Sequence, residues 1–540
     1  MRPEKGRRIM ATEGNKSNQG SGASTSGLLR AASKIGSWTM LSRILGFVRD
    51  ILLARVLGAG LMADAFFVAL KLPNFFRRMF AEGTLTVALV PVLSDVRQKG
   101  EKEAHKFLDA LATLLLMIVT GFTVLGMLFM PWLLYLFAPG FADEPDRWAM
   151  ALELARWMFP YLAMISLAAL AWAILNTYKQ FAVPAASPAL LNVAIIFAAV
   201  VLAPSFENPA LALAIGVLLG GFLQLAIQFP ALKRIGWVPR LSFDFRQPDI
   251  IETLTLFGPA VLAIAAVQIN ILVGTILATL LDTGAVSYLY YSDRIVQLPL
   301  ALFGIAMSTA LLPTLTAHLS RGDQDAAGSD LRSGLVWLTW ITLPAVAGAL
   351  YLAEPIVVTL FERGAFTHAD SLATAQTLQA YAVGLIAFCW AKLLASACYA
   401  GKDAKAPMRY AAVSVAVNIV LAVILMQFWA YVGLALATSL AAFVNVVLLY
   451  LRLGKTYGPL LSGATLTKLV GAVAASLLMV CALAGFEAIW SFPVDGLMQF
   501  AWLSAAIVGA VALFFVSALI LGERELLMRF LKRRGNNHAA

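Results

Sequence analysis

SRILGFVRDILLARVLGAGLMADAFFVALKLPNFFRRMFAE, residues Ser42 to Glu82, decides the fold class, because it is composed for lipid and yet carries many charges. Arg43, Arg49, Asp50, Arg55, Asp64, Lys71, Arg77, Arg78 and Glu82 stand among runs of Leu, Phe, Val and Ala. A charge at the centre of a membrane span costs about 2.5 to 3.5 kcal/mol on insertion scales. A cluster of this size therefore predicts side chains that face a wet interior rather than hydrocarbon.

Outward from that stretch the chain stays apolar. Of its residues 61% are hydrophobic and only 13% charged, where soluble domains carry about 25% charged residues. Apolar segments long enough to cross about 30 Å of hydrocarbon recur from Lys34 to Leu521, each bounded by Gly, Pro or charge. Barrel strands alternate, and these segments do not; helices satisfy their own backbone hydrogen bonds. The expectation is an all-α polytopic membrane protein with fourteen transmembrane helices, among them adjacent spans at 407–428 and 430–451 and a last pair at 465–489 and 497–521.

Loop charge tests that count, because Lys and Arg accumulate on the cytoplasmic side. With the N-terminus inside, the cytoplasmic segments hold Arg97, Lys99 and Lys102, then Lys179, then Lys233, Arg234, Arg240 and Arg246, and so on to Lys532, Arg533 and Arg534. The outer loops hold only Arg147 and Arg363, beside acids such as Asp143, Glu144 and Asp370. The alternation never breaks, which requires an even number of spans and places both termini in the cytoplasm. The net charge of +10 belongs to loops facing an anionic leaflet. No basic run is interleaved with exposed aromatics, so nucleic acid is not a partner.

Cys389, Cys398 and Cys481 lie in apolar runs, and His105, His318, His368 and His538 are scattered singly. Neither a disulfide framework, a metal site nor a nucleophile constellation is indicated, which argues against an enzyme. Residues 1–30 are basic and then low in complexity, a composition expected to be a disordered cytoplasmic extension, with no apolar segment of a cleaved signal peptide.

Internal repetition gives the domain plan. Pro73 and Pro299, Pro91 and Pro313, Pro184 and Pro407, Asn192 and Asn418, and Gln224 and Asn445 are paired at offsets of 221 to 226 residues. Six spans separate equivalent positions, so the copies have the same membrane orientation. Two six-helix lobes follow, 31–232 and 250–455, joined by a cytoplasmic linker at 233–249 and facing one another across a central cationic cavity. Residues 456–522 form two further helices and 523–540 a basic cytoplasmic tail. The last two spans are free of internal charge; they either line a groove for a lipid chain or pack against a lobe or partner.

Arg43 and Asp50 lie about two helical turns apart and share one face. Arg77 and Arg78 follow Pro73, where a kink would let irregular backbone line water. Asp293 and Arg294 precede Pro299 in a later span, and Lys392 sits within the apolar run AFCWAKLLAS. Several guanidinium groups converging on one cavity suit a phosphate or pyrophosphate, since Arg forms bidentate charge-assisted hydrogen bonds and does not deprotonate. The competing reading is that Arg–Asp pairs merely hold helices together, with Arg55 and Lys71 reaching an interface.

The strings SRILGFVRDILLARVLGAG, DAFFVALKLPNFFRRMFAEG, APGF at 138–141, FPYLAMISLAALAWAILNTY, YYSDRIVQLP and KDAKAP at 402–407 closely resemble the MurJ (MviN) family, the lipid II flippases of bacterial peptidoglycan synthesis. The resemblance covers about residues 30–530. It implies the multidrug/oligosaccharidyl-lipid/polysaccharide exporter fold in the bacterial inner membrane, and alternating access that carries undecaprenyl-pyrophosphate-linked disaccharide pentapeptide from the cytoplasmic to the periplasmic leaflet. On the family's pattern Arg43, Arg49, Asp64, Arg77 and Arg294 are the functional charges of the cavity, with Ser287 and Asp293 at matching positions. The last two helices would then receive the polyprenyl tail. Gln297 departs from the pattern, standing where relatives carry Glu and removing an acidic partner for Arg294. Arg78, Glu82, Gln297 and Lys392 complete the candidate set.

No cofactor is implied; a coupling ion or the membrane potential, at about 2.3 kcal/mol per charge per 100 mV, would drive the cycle. The implied partners are lipid II and membrane lipids, with the cell-wall elongation and division machinery as a further association. The alternatives are an exporter of drugs or of another polyprenyl-linked glycan, which predicts a more acidic or aromatic cavity, a membrane enzyme acting on lipid-linked sugars, and a non-transporting scaffold.

Overall fold

A computed structural model describes residues 18–80, 84–494 and 496–520. Among the described residues every regular element is helical. In chain order the α-helices are α1 (Asn18–Leu57), α2 (Leu61–Phe80), α3 (Thr84–Lys99), α4 (Glu101–Leu128), α5 (Met130–Phe137), α6 (Pro145–Met158), α7 (Tyr161–Thr177), α8 (Ala182–Phe197), α9 (Pro209–Ala226) and α10 (Gln228–Arg234). They continue with α11 (Pro248–Thr279), α12 (Ala285–Pro299), α13 (Ala306–Ser320), α14 (Gln324–Tyr351), α15 (Ala353–Phe361), α16 (His368–Ala400), α17 (Lys405–Tyr457), α18 (Gly463–Ile489) and α19 (Gly496–Ile520).

Sequence chemistry sets the ends of several of these. Thr367 caps α16 by accepting from the Asp370 amide while the Asp370 carboxylate returns the bond to Thr367 N, a reciprocal capping box. Ser462 starts α18 by accepting from Thr465 N, and Asp323 starts α14 by accepting from Ala326 N. Pro299 lacks the N–H that an α-helical turn would use, and a π-helical stretch, Leu300–Ile305, follows it at once. α1 already begins at Asn18, so helix takes in residues 18–30 of the extension expected to be disordered. No proline interrupts 18–57, and a helix nucleated in the apolar half propagates toward the N-terminus. Residues 1–17 and the basic tail lie outside the described residues.

Eleven helices among the described residues are long and apolar enough to cross a membrane, against the fourteen spans read from the sequence. Two features of the chain bear on the difference. α1 is crowded by Arg43, Arg49 and Asp50 in its apolar half and is not among the eleven. α17 runs for 53 residues but is broken at Trp429 and Ala430, where φ reaches 43° and ψ −125°. That dihedral pair lies outside the helical region, so the segments on either side are separate helices.

The chain forms two compact units. The first contains the chain up to Leu52, Leu70–Met130 and Glu153–Gln268; the second contains Leu53–Ala69, Pro131–Leu152 and the chain from Ile269 onward. The boundary cuts α1 and α2, leaving the elbow between them with the second unit. In the first unit α3, α4 and α7 bury Leu89, Leu93, Phe107, Leu108 and Ile174 together with Trp237 of the linker. α9 approaches α8 through Gly216 and Gly220, where an added Cβ would collide with Ala198 and Leu191. This is the small-residue spacing that lets membrane helices meet backbone to backbone. In the second unit α14, α18 and α19 share a core of Trp340, Ala472, Ala475, Met479, Trp502 and Phe514. The outward side of α18 leaves Leu466, Val470, Leu477 and Leu478 exposed. The last two helices therefore pack one face onto α14 and present another, apolar face.

Candidate functional site: charges within each unit

In the first unit Arg49 is buried on α1, and its guanidinium is fully oriented. Nε and Nη2 donate to Asp50 Oδ1 at 3.0 and 2.7 Å, and Nη1 donates to Asn192 Oδ1 on α8 at 2.8 Å. Asn192 in turn donates through Nδ2 to the Ser42 carbonyl at 2.9 Å. The first span is thus fastened to α8 by one polar junction, and Arg–Asp pairing, the structural alternative, operates at this position. A buried charge needs such compensation, because stripping an ion of water costs several kcal/mol.

Arg43 differs. It is exposed on the same helix and has no hydrogen bond or ion pair with another described residue. Arg77 is half-buried and donates from Nε to Asn74 Oδ1 at 3.2 Å. Asn74 donates to the Leu70 carbonyl at 2.9 Å, close to the carbonyl that Pro73 cannot serve. α2 stays helical through Pro73. Arg78 is half-buried beside it, on a turn braced by the rings of Phe76, Phe122 and Phe159. Glu82 lies outside the described residues.

In the second unit Asp64 is completely buried, and all of its acceptor capacity is used. Oδ1 accepts from Ser287 N at 2.9 Å and Ser287 Oγ at 2.5 Å; Oδ2 accepts from Gly284 N at 2.8 Å and Arg147 Nη2 at 2.6 Å. Gly284 and Ser287 open α12, so a carboxylate from α2 caps another helix at its positive end. Asp64 and Ser287 were expected to face a ligand. In this conformation they face each other and fasten the α1–α2 elbow, helped by Tyr291 Oη donating to Gly58 O and by Ala365 N donating to Arg55 O.

Arg147 was read from the sequence only as an outer-loop charge. Its side chain has no exposed surface. Besides Asp64 it donates to Glu144 Oε1 at 3.1 Å and Leu281 O at 3.3 Å, and it lies 4.1 Å over the Phe141 ring. Phe141 belongs to the APGF string, whose Gly140 packs directly on the Thr279 carbonyl. That string six residues upstream was the available signal, and no spacing rule links it to Asp64.

Arg294 and Asp293 lie on α12, half-buried. Arg294 donates to Tyr290 Oη at 3.2 and 3.4 Å from Nη2 and Nε, and to Gln297 Oε1 at 3.4 Å. Gln297 in turn donates to Asp293 Oδ2. Gln297 therefore bridges the carboxylate and the guanidinium, one amide offering a donor to the first and an acceptor to the second. Tyr290 is stacked on Phe67 of α2 at 3.8 Å. Lys392 is exposed on α16 and lines a cavity of about 360 Å³. Among the described residues no group of three or more His, Cys, Asp or Glu side chains is placed to hold a metal ion.

Residues 53–505 match the family model described as lipid II flippase MurJ. The chain belongs to the MurJ family. A Vibrio cholerae relative described as "Probable lipid II flippase MurJ" is 37% identical over 78% of this chain and 82% of its own. The Burkholderia cenocepacia lipid II flippase MurJ is 34% identical over 93% of this chain and 99% of its own. Among solved structures, "Lipid II flippase MurJ, inward closed conformation" superposes with a TM-score of 0.77 at 28% identity, covering 91% of this chain and 99% of that one. An inward-facing multidrug resistance MATE transporter of the MOP superfamily gives 0.63 at 13% identity, covering 79% of this chain and 98% of that one, which is a likeness of fold alone. MurJ is a family of transporters rather than of enzymes, and the chain is a multi-pass inner-membrane protein.

Proposed function

We propose that this chain carries lipid II from the cytoplasmic to the periplasmic leaflet by alternating access, with fourteen spans, two six-helix lobes at 31–232 and 250–455, and both termini in the cytoplasm. Arg43, Arg49, Arg77 and Arg294 engage the pyrophosphate, Arg43 by direct contact and Arg49 as a charge already oriented by Asp50 and Asn192. The polyprenyl tail lies along the exposed apolar face of α18 and α19, outside the polar path. Membrane lipids are the other partner, and no resident cofactor is required.

The observation that carries the mechanism is the Asp64 junction. A carboxylate that caps α12 and pairs with Arg147, wholly out of water, is a contact with two states only: made, or broken and hydrated. Alternating access needs such a bistable element. Asp64, Ser287 and Arg147 therefore act in transport as the fastening that must part when the elbow opens.

The test is depletion in the native bacterium with leaflet-resolved labelling of lipid II, complemented by the wild type, Arg43→Ala or Arg294→Ala. Precursor accumulates in the inner leaflet on depletion and is cleared by the wild type but by neither variant. Normal arrival of precursor outside during depletion overturns the assignment.

A further inference from the structure

On α12 the residues that hold the elbow and the arginine that follows them share one stripe. Ser287, Tyr290, Tyr291 and Arg294 stand at the spacing of a single helical face. In the second unit this stripe meets α2. Asp64 accepts from Ser287 N and Oγ, and one turn further along both helices Phe67 meets the two tyrosines. Its ring stacks on Tyr290 at 3.8 Å with 21° between the planes, and meets Tyr291 edge-on at 5.4 Å and 83°. Phe67 and Tyr291 are buried.

The two tyrosines pass this contact to different partners. Tyr291 Oη donates to the Gly58 carbonyl at 3.0 Å and so closes on the elbow. Tyr290 Oη accepts from Arg294 Nη2 at 3.2 Å and from Nε at 3.4 Å, with the guanidinium carbon 5.2 Å from the ring centre. Two N–H groups aimed at one oxygen fix the plane of the guanidinium, and a fixed plane is what bidentate recognition of a phosphate needs. A tyrosine on an open helix face would sample several rotamers and hold its neighbour loosely, whereas this one is pinned by a ring from another helix. Stacking on Phe67 needs only the ring of Tyr290; the hydroxyl is what the arginine uses.

We infer that Tyr290 is a positioning residue for transport: it presents the Arg294 guanidinium to the pyrophosphate while α2 and α12 are fastened, and gives up that orientation when the Asp64 junction parts. The inference rests on the lipid II reading and adds to it a reason for release. A ligand moves a two-state protein only if it binds the two states differently. Phe67 and Tyr290 supply such a difference, because the contact that orients the arginine stands one turn from the junction that opens.

The experiment uses the full chain in lipid nanodiscs, with lipid II affinity read by native mass spectrometry and stability by thermal melting. Tyr290→Phe keeps the ring and removes the acceptor; it melts with the wild type and weakens lipid II about tenfold, the order expected for a hydrogen bond to a charged group. In an Arg294→Ala background the same substitution has no further effect, the mark of a residue that acts through the guanidinium. Phe67→Leu, which leaves the hydroxyl but removes its support, weakens lipid II as well. Lipid II bound by Tyr290→Phe or by Phe67→Leu as tightly as by the wild type overturns the inference and leaves the lipid II reading standing, and so does equal weakening with and without Arg294. Failure of the wild type to retain lipid II ends that reading, and this inference with it.

Discussion

Arg147 and Asp64, 83 residues apart in sequence, meet at 2.6 Å with no exposed surface on either side chain. A pair this deep is fixed by what happens when it is split. Removing one partner leaves an uncompensated buried charge, which costs about 3–5 kcal/mol. Asp64→Ala and Arg147→Ala are each expected to lower the melting temperature sharply, and the double variant to lose much less than the sum. A double-mutant cycle by thermal melting that returns no coupling would remove the pair from the account of the elbow.

The elbow itself depends on Gly58. Its φ is +67°, and a Cβ there would stand 2.5 Å from the Ala365 carbonyl oxygen. A non-glycine residue in that backbone region costs about 1–2 kcal/mol, and Ala365 would have to move as well. Gly58→Ala is expected to destabilise the protein by more than the backbone term alone. Equal melting temperatures for Gly58→Ala and wild type would show that the approach is not tight.

Arg43 and Arg49 should separate by experiment. Arg43 is exposed and unpaired among the described residues, so Arg43→Ala is expected to change stability by no more than about 0.5 kcal/mol while abolishing growth complementation. Arg49 holds Asp50 and Asn192, so Arg49→Ala should lose both stability and transport. Arg49→Lys keeps the charge without the planar fork and should recover only part of each. Melting curves set beside complementation read the split; a strongly destabilised Arg43→Ala would mean that this side chain is structural.

Trp502 of α19 is fully buried in the core shared with α14 and α18, and its Nε1 donates to the Trp490 carbonyl at 2.5 Å. Truncating a buried Trp costs about 3–5 kcal/mol. Trp502→Ala is expected to loosen the α18–α19 pair first, seen as faster hydrogen exchange in Gly496–Ile520 than in α16. Uniform exchange across both would show that the pair does not form a separate packing layer.

Composition was enough to settle the class of this protein. Long evenly apolar segments have only one way to satisfy their backbones in lipid, and that is helix, so the all-α membrane fold was legible without coordinates. Arg43, Arg49 and Asp64 stood out because charge in apolar text is costly. What each charge does was decided only by tertiary structure. Asp64 turns out to be consumed by Ser287, Gly284 and Arg147, and Gln297 bridges Asp293 and Arg294. Helical periodicity ties a residue to neighbours three or four positions away, as with Gln297 between Asp293 and Arg294 on α12, whereas the partners of Asp64 lie on other helices. The distance between such helices is set by packing, which no local pattern in the chain encodes.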